Sequence, residues 1–276
     1  MIPRFSILQA ATLASLALVG CSSSTSTTRT PAAPVKAASA IEIGRLRTAL
    51  DAESFVARTL YVEGDITLDQ NGESNSATFV MRSKRLSETG RIDSLSIEIK
   101  GPFGIKVARF LAAPEGYKFY DVLHGETMSG KTDAHALEGL THLRGLSLAM
   151  MSDLAFGLAP GIDAVSAEDS VTLLTSGTLE QLIVRRPEDV SEIIDLESSS
   201  HSAASPVLVD RYRRWNGTAT DGPPAVAIRF SNRTLLDGFS IPKHIEANAG
   251  IDKLTLDYTR IELNPSPITV KIKMPK

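Results

Sequence analysis

The sequence predicts a mainly β protein of the α+β class, in which an antiparallel sheet is preceded by one helix and interrupted by a helical insert. Apolar and polar residues alternate with a period of two in short runs that end at turn residues, which is typical of half-buried strands. Residues 133–160 are instead rich in Leu, Ala and Met, and apolar residues recur there at steps of three and four. Strands and helices do not alternate along the chain, which argues against a parallel α/β sheet.

The first twenty residues have the pattern of an export signal. Arg4 supplies a positive start, and the apolar run at 5–19 is too short to span a bilayer comfortably. The run ends in the letters LVGC, which resemble the lipobox of bacterial lipoproteins and contain the only cysteine of the chain, Cys21. The resemblance implies cleavage before Cys21 and a lipid anchor on its thiol. The alternative is a general secretory signal followed by a chance cysteine.

A flexible tether is predicted for residues 21–40, because Ser, Thr, Ala and Pro dominate there and large apolar residues are almost absent. The folded domain is then expected to cover residues 41–276. It begins with an amphipathic helix that has Ile43, Leu46 and Leu50 on one side.

Composition excludes two classes of function. The formal net charge of −3 provides no basic field to hold nucleic acid. With Cys21 occupied by lipid, no thiolate remains for a disulfide, for zinc or for nucleophilic catalysis. Stability must then come from an ordinary apolar core, which a hydrophobic content of 42% can supply.

The strand pattern begins after the first helix and returns beyond the helical insert. Turn letters at 69–72 and 101–104 separate the first runs. Residues 187–205 are polar and predict a long loop or an irregular hairpin. The predicted strands cover residues 60–68, 77–81, 94–100, 105–111, 117–123, 171–174, 182–185, 207–212, 226–230, 254–258 and 268–274.

Residues 125–132, from Gly125 to Thr132, match the Walker A pattern of nucleotide-binding loops. In such loops the backbone wraps the phosphates, and the preceding strand is buried on both faces and nearly all apolar. Here that strand carries Lys118 and Asp121, and an exported protein meets no maintained ATP pool. Nucleotide binding through Lys131 is therefore kept only as a remote alternative.

No enzyme chemistry is predicted. The sequence lacks the metalloprotease, hydrolase-elbow and dinucleotide-binding motifs. His124, His135 and His142 lie close in sequence, but none has the three- or four-residue spacing that a helical metal pair needs. We therefore predict a protein that is not an enzyme, with no metal and no cofactor.

The order of these parts resembles the LolA/LolB family, the periplasmic carrier and outer-membrane receptor that deliver lipoproteins. The resemblance covers about residues 41–275 and includes one local motif. In LolB an exposed loop with a Pro–large apolar–Gly tip helps to insert incoming lipoproteins into the membrane, and Pro102, Phe103 and Gly104 match that tip. The competing interpretation is that Phe103 folds back onto the core. The chain is longer than LolB, notably at 187–222, which leaves the cargo open.

The fold that the resemblance implies is an open antiparallel half-barrel whose concave apolar face is covered by a helical lid. The alternating apolar residues then either form a close-packed core or line a cavity for acyl chains, and the sequence does not separate the two. The candidate cavity residues are Val62, Ile66, Phe79, Met81, Leu95, Ile97, Ile99, Ile105, Val107 and Phe119. The candidate lid residues are Leu140, Leu146, Met150, Met151, Leu154 and Phe156.

The function implied by the resemblance is that of a lipid-anchored lipoprotein on the periplasmic face of the outer membrane. It would bind acyl chains of lipids or lipoproteins, receive them from a periplasmic LolA-like carrier and pass them to the membrane. Ser22, rather than Asp, directly after Cys21 favours the outer membrane by the sorting rule of enteric bacteria. The alternative is a scaffolding outer-membrane lipoprotein that uses the same sheet to bind a partner protein.

Overall fold

The computed structural model describes residues 36–37, 44, 46, 57–85, 92–131, 148–158, 169–176, 179–187, 190–198, 207–217, 220 and 222–265. The predicted export signal, Cys21, Leu140, Leu146 and the predicted strand at 268–274 lie outside these residues. Most of the predicted N-terminal helix does so too, although Gly44 and Leu46 are both helical and Leu46 is buried.

The described residues form fourteen strands in one antiparallel sheet, together with the isolated helical residues Gly44 and Leu46, one continuous α-helix and one 3₁₀ turn. The helix is α1 (Leu148–Phe156), and the 3₁₀ turn is Pro102–Gly104. The strands are β1 (Lys36–Ala37), β2 (Thr59–Gln70), β3 (Glu73–Arg85), β4 (Ile92–Lys100), β5 (Lys106–Ala113), β6 (Gly116–Asp121), β7 (Glu126–Gly130), β8 (Ser170–Ser176), β9 (Leu179–Arg186), β10 (Val190–Ser198), β11 (Val207–Asn216), β12 (Val226–Leu236), β13 (Phe239–Ala249) and β14 (Asp252–Leu263).

The spatial order of the strands is β1-β8-β9-β10-β11-β12-β13-β14-β2-β3-β4-β5-β6-β7. Two meanders, β2–β7 and β8–β14, are therefore joined by pairing of β14 with β2, in which Leu263 lies opposite Leu60 and Lys253 opposite Asp69. Strands β1 and β7 are the two edges, so the sheet is open. The prediction of a mainly β protein with an open antiparallel sheet is confirmed.

Four strands differ from the sequence prediction. The tether predicted for residues 21–40 ends earlier, because Lys36 and Ala37 form β1 and pair with β8. No strand was predicted at Glu126–Gly130, which forms β7. β10 lies within the region predicted as a loop or irregular hairpin, and it pairs with β9 and β11 along its length. Its buried carboxylates, Glu192 and Asp195, hide the apolar pattern. β13 was not predicted, although Phe239, Ile241 and Ile245 alternate inward; it also contains Pro242, a residue rare in central strands.

Helix α1 packs on the apolar face of the sheet through both polar and apolar contacts. The Ser83 and Ser152 hydroxyl oxygens are 3.2 Å apart, and the guanidinium of Arg85 lies 3.0 Å from the Asp153 carboxylate. Gly157 ends the helix with φ +73°, and a Cβ atom there would lie 2.3 Å from Pro242. None of the helical residues that the structure describes belongs to a segment long and apolar enough to cross a bilayer.

An apolar cavity and the loops at its mouth

A cavity of about 190 Å³ lies between helix α1 and the strands from β13 through β14 and β2 to β6. Every side chain that lines it is apolar. The lining residues are Ile66, Leu68, Phe79, Met81, Leu95, Ile97, Ile99, Phe110, Phe119, Met151, Leu154, Ala155, Ile245, Ala247, Leu254 and Leu256. The cavity is larger than the apolar cavity of about 150 Å³ that is known to stay dry and bind benzene.

Strand register explains why these side chains meet. In the ladder from β3 to β6, Met81 lies opposite Ile97, which lies opposite Phe110, and Phe110 lies opposite Phe119. Directly opposed residues point to the same face, so four strands contribute one continuous apolar row. A second row runs from Ala247 through Leu254 to Leu68 on the other side of the cavity.

Gly64 makes room for the ring of Phe79 within this wall. A Cβ atom at Gly64 would lie 2.1 Å from the backbone oxygen of Asp257 and 3.1 Å from the Phe79 ring. Phe79 also packs edge-to-face on Tyr258, with 6.0 Å between ring centroids. Burial raises the pKa of the Tyr258 hydroxyl, which donates to the backbone oxygen of Ala155 at 3.3 Å.

The cavity opens toward one end of the sheet, which we call the Phe103 end. Neighbouring strands run in opposite directions, so every second connection lies at the same end of the sheet. Four connections lie at the Phe103 end: β13–β14, β2–β3, β4–β5 and β6–β7. Half of the lining side chains are buried, and the other half keep partial exposure. The partly exposed ones are Ile66, Leu68, Ile97, Ile99, Phe119, Met151, Leu254 and Leu256, and we call them the mouth of the cavity.

Phe103 protrudes from the β4–β5 loop at this end. Its side chain is 101% exposed, so it does not fold back onto the core. Its backbone is left-handed, with φ 63° and ψ 17°, a conformation that costs a non-glycine residue about 1–2 kcal/mol. The loop is closed by hydrogen bonds from Gly101 N–H to the Ile105 oxygen (2.9 Å) and from Gly104 N–H to the Gly101 oxygen (3.2 Å). An ordered loop thus holds a large apolar side chain in solvent.

Seven of the ten candidate cavity residues line the cavity. They are Ile66, Phe79, Met81, Leu95, Ile97, Ile99 and Phe119. Val62 is fully buried in the core beneath them and does not line the cavity.

Ile105 and Val107 do not line the cavity, and the reason is a β-bulge. Ile99 pairs with Ala108 but Lys100 pairs with Lys106, which leaves Val107 as the extra residue. The residues of β5 that point inward are therefore Ala108, Phe110 and Ala112, and Phe110 lines the cavity. Ile105 is exposed beside Phe103. Arg109 shares the register of Val107 and was the sequence signal against it.

The candidate lid residues divide into three groups. Met151 and Leu154 line the cavity from α1. Met150 and Phe156 are buried in the core and lie off its wall. Leu140 and Leu146 lie outside the described residues.

The sequence argument missed seven lining residues: Leu68, Phe110, Ala155, Ile245, Ala247, Leu254 and Leu256. Four of these come from β13 and β14, which reach the cavity only through the pairing of β14 with β2. Alternation in 254–258 was visible in the sequence, but nothing local indicated that this strand would lie beside β2.

The Walker A-like stretch forms a β-hairpin rather than a phosphate-binding loop. Residues Glu126–Gly130 are strand β7, which pairs with β6 in register from Asp121–Glu126 to Tyr117–Gly130. A phosphate-binding loop instead connects a strand to a helix and points successive N–H groups at the ligand. The hairpin does not provide that arrangement.

A buried cluster of charges, which we call the ion-paired cluster, lies on the same sheet face on strands β9–β11. The Glu192 carboxylate accepts hydrogen bonds from Arg186 at 2.9 Å and from the Tyr212 hydroxyl at 3.0 Å. Burial, and then the charge of Glu192, raise the pKa of Tyr212 well above its ordinary value. Tyr212 lies opposite Ile228, which lies opposite Ala247 of the cavity wall. The cluster is thus about 10 Å, or two strand spacings, from the cavity.

Within the described ranges, no group of three or more His, Cys, Asp or Glu side chains is placed to hold a metal ion. Among the described residues, two histidines contact a carboxylate in the part of the sheet that contains the cavity: His124 Nδ1 lies 2.7 Å from Asp121 Oδ2 on the exposed β6–β7 turn, and His244 Nδ1 lies 2.6 Å from Asp257 Oδ1. The hydrogen bond from His124 lowers the pKa of Asp121, and the same contact raises the pKa of His124.

Comparison with solved structures identifies the class of fold. A DUF1329 family protein from Desulfovibrio piger ATCC 29098 superposes with a TM-score of 0.61 at 11% identity, covering 83% of this chain and 95% of that chain. A domain proposed to be an outer membrane lipoprotein-sorting protein, from Vibrio parahaemolyticus, gives a TM-score of 0.55 at 11% identity, with coverage of 82% and 93%. A LolA superfamily protein from Nitrosomonas europaea gives 0.47 at 12% identity, with coverage of 80% and 94%.

The chain has a LolA/LolB-like fold, as the sequence predicts. The sequence itself matches no protein-family model and no curated protein.

Proposed function

We propose that this protein binds the acyl chains of lipids or lipoproteins in its apolar cavity and passes them to the outer membrane. The observation that carries the proposal is a cavity with a wholly apolar wall that opens through partly exposed side chains next to Phe103. A closed core would have no such opening, and an enzyme site would place polar groups in the wall. The fold class, which includes a domain proposed to sort lipoproteins, supports the same conclusion.

The size of the cavity favours partial and reversible uptake. Scaled from the benzene-sized case, it holds about seven or eight carbon atoms of a chain. Burial of that length contributes about 6 kcal/mol at ~0.8 kcal/mol per CH₂, before the cost of ordering the chain. Such binding is weak enough to release the ligand to a bilayer, where the whole chain is buried. No cofactor or energy source enters this transfer.

Phe103 provides the contact with the bilayer in this proposal, together with Pro102 and Gly104 of the same turn. A lipid on Cys21 anchors the chain to the periplasmic face of the outer membrane, residues 1–20 are the removed signal, and the tether runs from Cys21 to the start of β1 at Lys36. Cargo arrives from a LolA-like periplasmic carrier. The left-handed backbone holds the Phe103 side chain in solvent, where it makes no packing contacts with the protein. Its insertion into lipid therefore costs the folded protein little stability.

Acyl-chain uptake tests the first step. The purified chain should bind a fluorescent fatty acid from solution, measured by the change in fluorescence. It should also carry lipid that native mass spectrometry detects. Leu68→Trp enlarges a side chain at the cavity mouth and should weaken fatty-acid binding at least tenfold. Leu235→Trp makes the same change at an exposed site on the opposite end of the sheet and should bind normally. A wild-type chain that carries no lipid and takes up no fatty acid would instead support the scaffolding alternative.

Delivery tests the second step. Phe103→Glu should leave the thermal melting curve and fatty-acid uptake unchanged but should slow transfer from the protein to vesicles. Leu235→Glu serves as the matched control, since Leu235 is 67% exposed and lies far from the cavity mouth. Transfer by Phe103→Glu at the wild-type rate would remove Phe103 from the mechanism.

A further inference from the structure

The exposed apolar side chains of the described residues are concentrated at the Phe103 end of the sheet. Five of the seven large ones lie on the connections at this end: Phe103, Ile105, Val122, Leu123 and Ile251. Of the remaining two, Met128 is on edge strand β7, and Leu235 lies at the opposite end. An even scatter of exposed apolar residues would need no explanation, but a group of five on three hairpins at one end of the sheet does.

The β6–β7 turn holds its apolar residues outward by a specific arrangement. The Asp121 carboxylate accepts the backbone N–H groups of Leu123 and His124, both at 3.0 Å, and contacts the His124 ring at 2.7 Å. Val122 N–H donates to the Val107 oxygen at 2.9 Å, which ties this turn to the strand that follows the Phe103 loop. Leu123 is nevertheless 61% exposed. The turn is ordered, yet its side chains have no partner within the fold that buries them.

The β13–β14 turn presents the same feature on the other side of the cavity. Gly250 has φ 65°, which allows the tight reversal, and Ile251 at its tip is 80% exposed. This turn connects the two strands that supply Ala247 and Leu254 to the cavity wall. In sheet order the Phe103 loop lies between the two other turns, at about 10 Å from the β6–β7 turn and about 20 Å from the β13–β14 turn by strand spacing.

We propose that Leu123, with Val122, and Ile251 are second and third membrane contacts, which together with Phe103 dock the cavity mouth onto the surface of a phospholipid bilayer. The proposal rests on the proposed function, which it extends from one loop to a three-loop contact. Separate tips on three hairpins do not form the continuous surface that a protein partner needs, whereas a fluid bilayer accepts all three at once. Each tip is flanked by a charged or titratable side chain, Lys106, His124 or Lys253, that can remain at the level of the lipid headgroups.

The tether supports the same geometry. The chain between Cys21 and Lys36 can extend about 50 Å, which is long enough for the domain to bring its Phe103 end to the bilayer that holds the anchor. A mouth held at the bilayer would release an acyl chain into lipid without exposing it to water.

Vesicle binding by the full chain carrying Cys21→Ser tests the inference, because that chain cannot be anchored through a lipid. It should float with vesicles of phosphatidylethanolamine and phosphatidylglycerol. Leu123→Gln and Ile251→Gln should each lower the binding constant about fivefold, and the double variant by more than tenfold, since each removes one partly inserted side chain. Leu235→Gln is the matched control and should bind as the parent does.

Fatty-acid binding measured without vesicles separates this inference from the proposed function. The Leu123 and Ile251 variants should keep full uptake and an unchanged melting temperature. Full uptake combined with vesicle binding equal to that of Leu235→Gln would overturn the three-loop contact and leave the cavity function standing. Failure of the Cys21→Ser parent to bind vesicles would also overturn it. Absence of fatty-acid uptake in the parent would count against the proposed function itself.

Discussion

The cavity half of the sheet, strands β13, β14 and β2–β6, and the ion-paired cluster on β9–β11 belong to one face but use burial in opposite ways. In the cavity half, sixteen apolar side chains surround a space that they do not fill. In the ion-paired cluster, Glu192 is 5% exposed and is satisfied by Arg186 and Tyr212. The cavity half leaves apolar surface without packing partners, whereas the ion-paired cluster buries a charge together with its hydrogen-bond partners.

This difference indicates where ligand binding can occur. A buried carboxylate that accepts hydrogen bonds from two partners, as Glu192 does, favours one arrangement of those partners and leaves no apolar surface for a ligand. The atoms of an apolar wall beside a void lack van der Waals partners on one side. A hydrocarbon chain that enters the void supplies these contacts. In the proposed function the ion-paired cluster is the scaffold and the cavity half is the binding region. Four predictions sharpen this comparison, from the largest effect to the smallest.

Removal of the central carboxylate should give the largest loss of stability. Glu192→Ala takes away the acceptor of Arg186 and Tyr212 and should lower the free energy of unfolding by about 3 kcal/mol, measured by urea denaturation. Glu197→Ala on the same strand is the control, because Glu197 is exposed and should cost less than about 0.5 kcal/mol. Equal effects of the two substitutions would show that the cluster is not the rigid part of the sheet.

The same Leu→Ala change should cost less in the cavity half than near the ion-paired cluster. Leu182 on β9 is 1% exposed and away from the cavity, so Leu182→Ala should cost about 3 kcal/mol. Leu254 lines the cavity and is partly exposed, so Leu254→Ala should cost about 1 kcal/mol, since fewer contacts are lost. Denaturation of both variants measures the difference. A cost at Leu254 that matches that at Leu182 would mean that the cavity half is close-packed.

Phe103→Asn should stabilise the protein while impairing its function. Asparagine tolerates the left-handed backbone at this position better than phenylalanine, and the exposed ring has no packing to lose. The free energy of unfolding should rise by about 0.5–1 kcal/mol, and transfer to vesicles should slow. Gly104, also at positive φ, keeps the turn intact in both forms. A loss of stability would show that Phe103 packs on the protein.

The smallest effect should be a pH dependence of the β6–β7 turn. Contact with Asp121 raises the pKa of His124 above its ordinary value of 6.5, so the folded state binds the proton more tightly than the unfolded state. The pair therefore stabilises the turn below the ordinary pKa of histidine, and this contribution disappears as the pH rises through the folded-state pKa. NMR titration of the His124 ring should give a pKa above 6.5, and Asp121→Asn should return it toward that value.

Much of the fold could be predicted from local pattern, because the period-two alternation in β2, β3 and β4 follows directly from which face is buried. The same rule placed Ile66, Phe79 and Ile97 on one face, where they line the cavity. It gave the wrong register for Val107, since a single bulge residue reverses the alternation and both registers of β5 contain apolar residues. It also missed β10, where paired charges replace apolar residues at buried positions.

By itself the sequence determined the sheet class, the apolar face and an apolar tip between two turn-forming residues, because these depend on residues close together in the chain. Only the tertiary structure decided that β14 would pair with β2, and hence that Leu254 and Ala247 would complete the cavity wall opposite Phe119. It also decided that α1 would leave a space above the sheet and that three distant turns would share one end. Such outcomes depend on how side chains far apart in sequence pack together, and the local alternation of apolar residues cannot predict that packing.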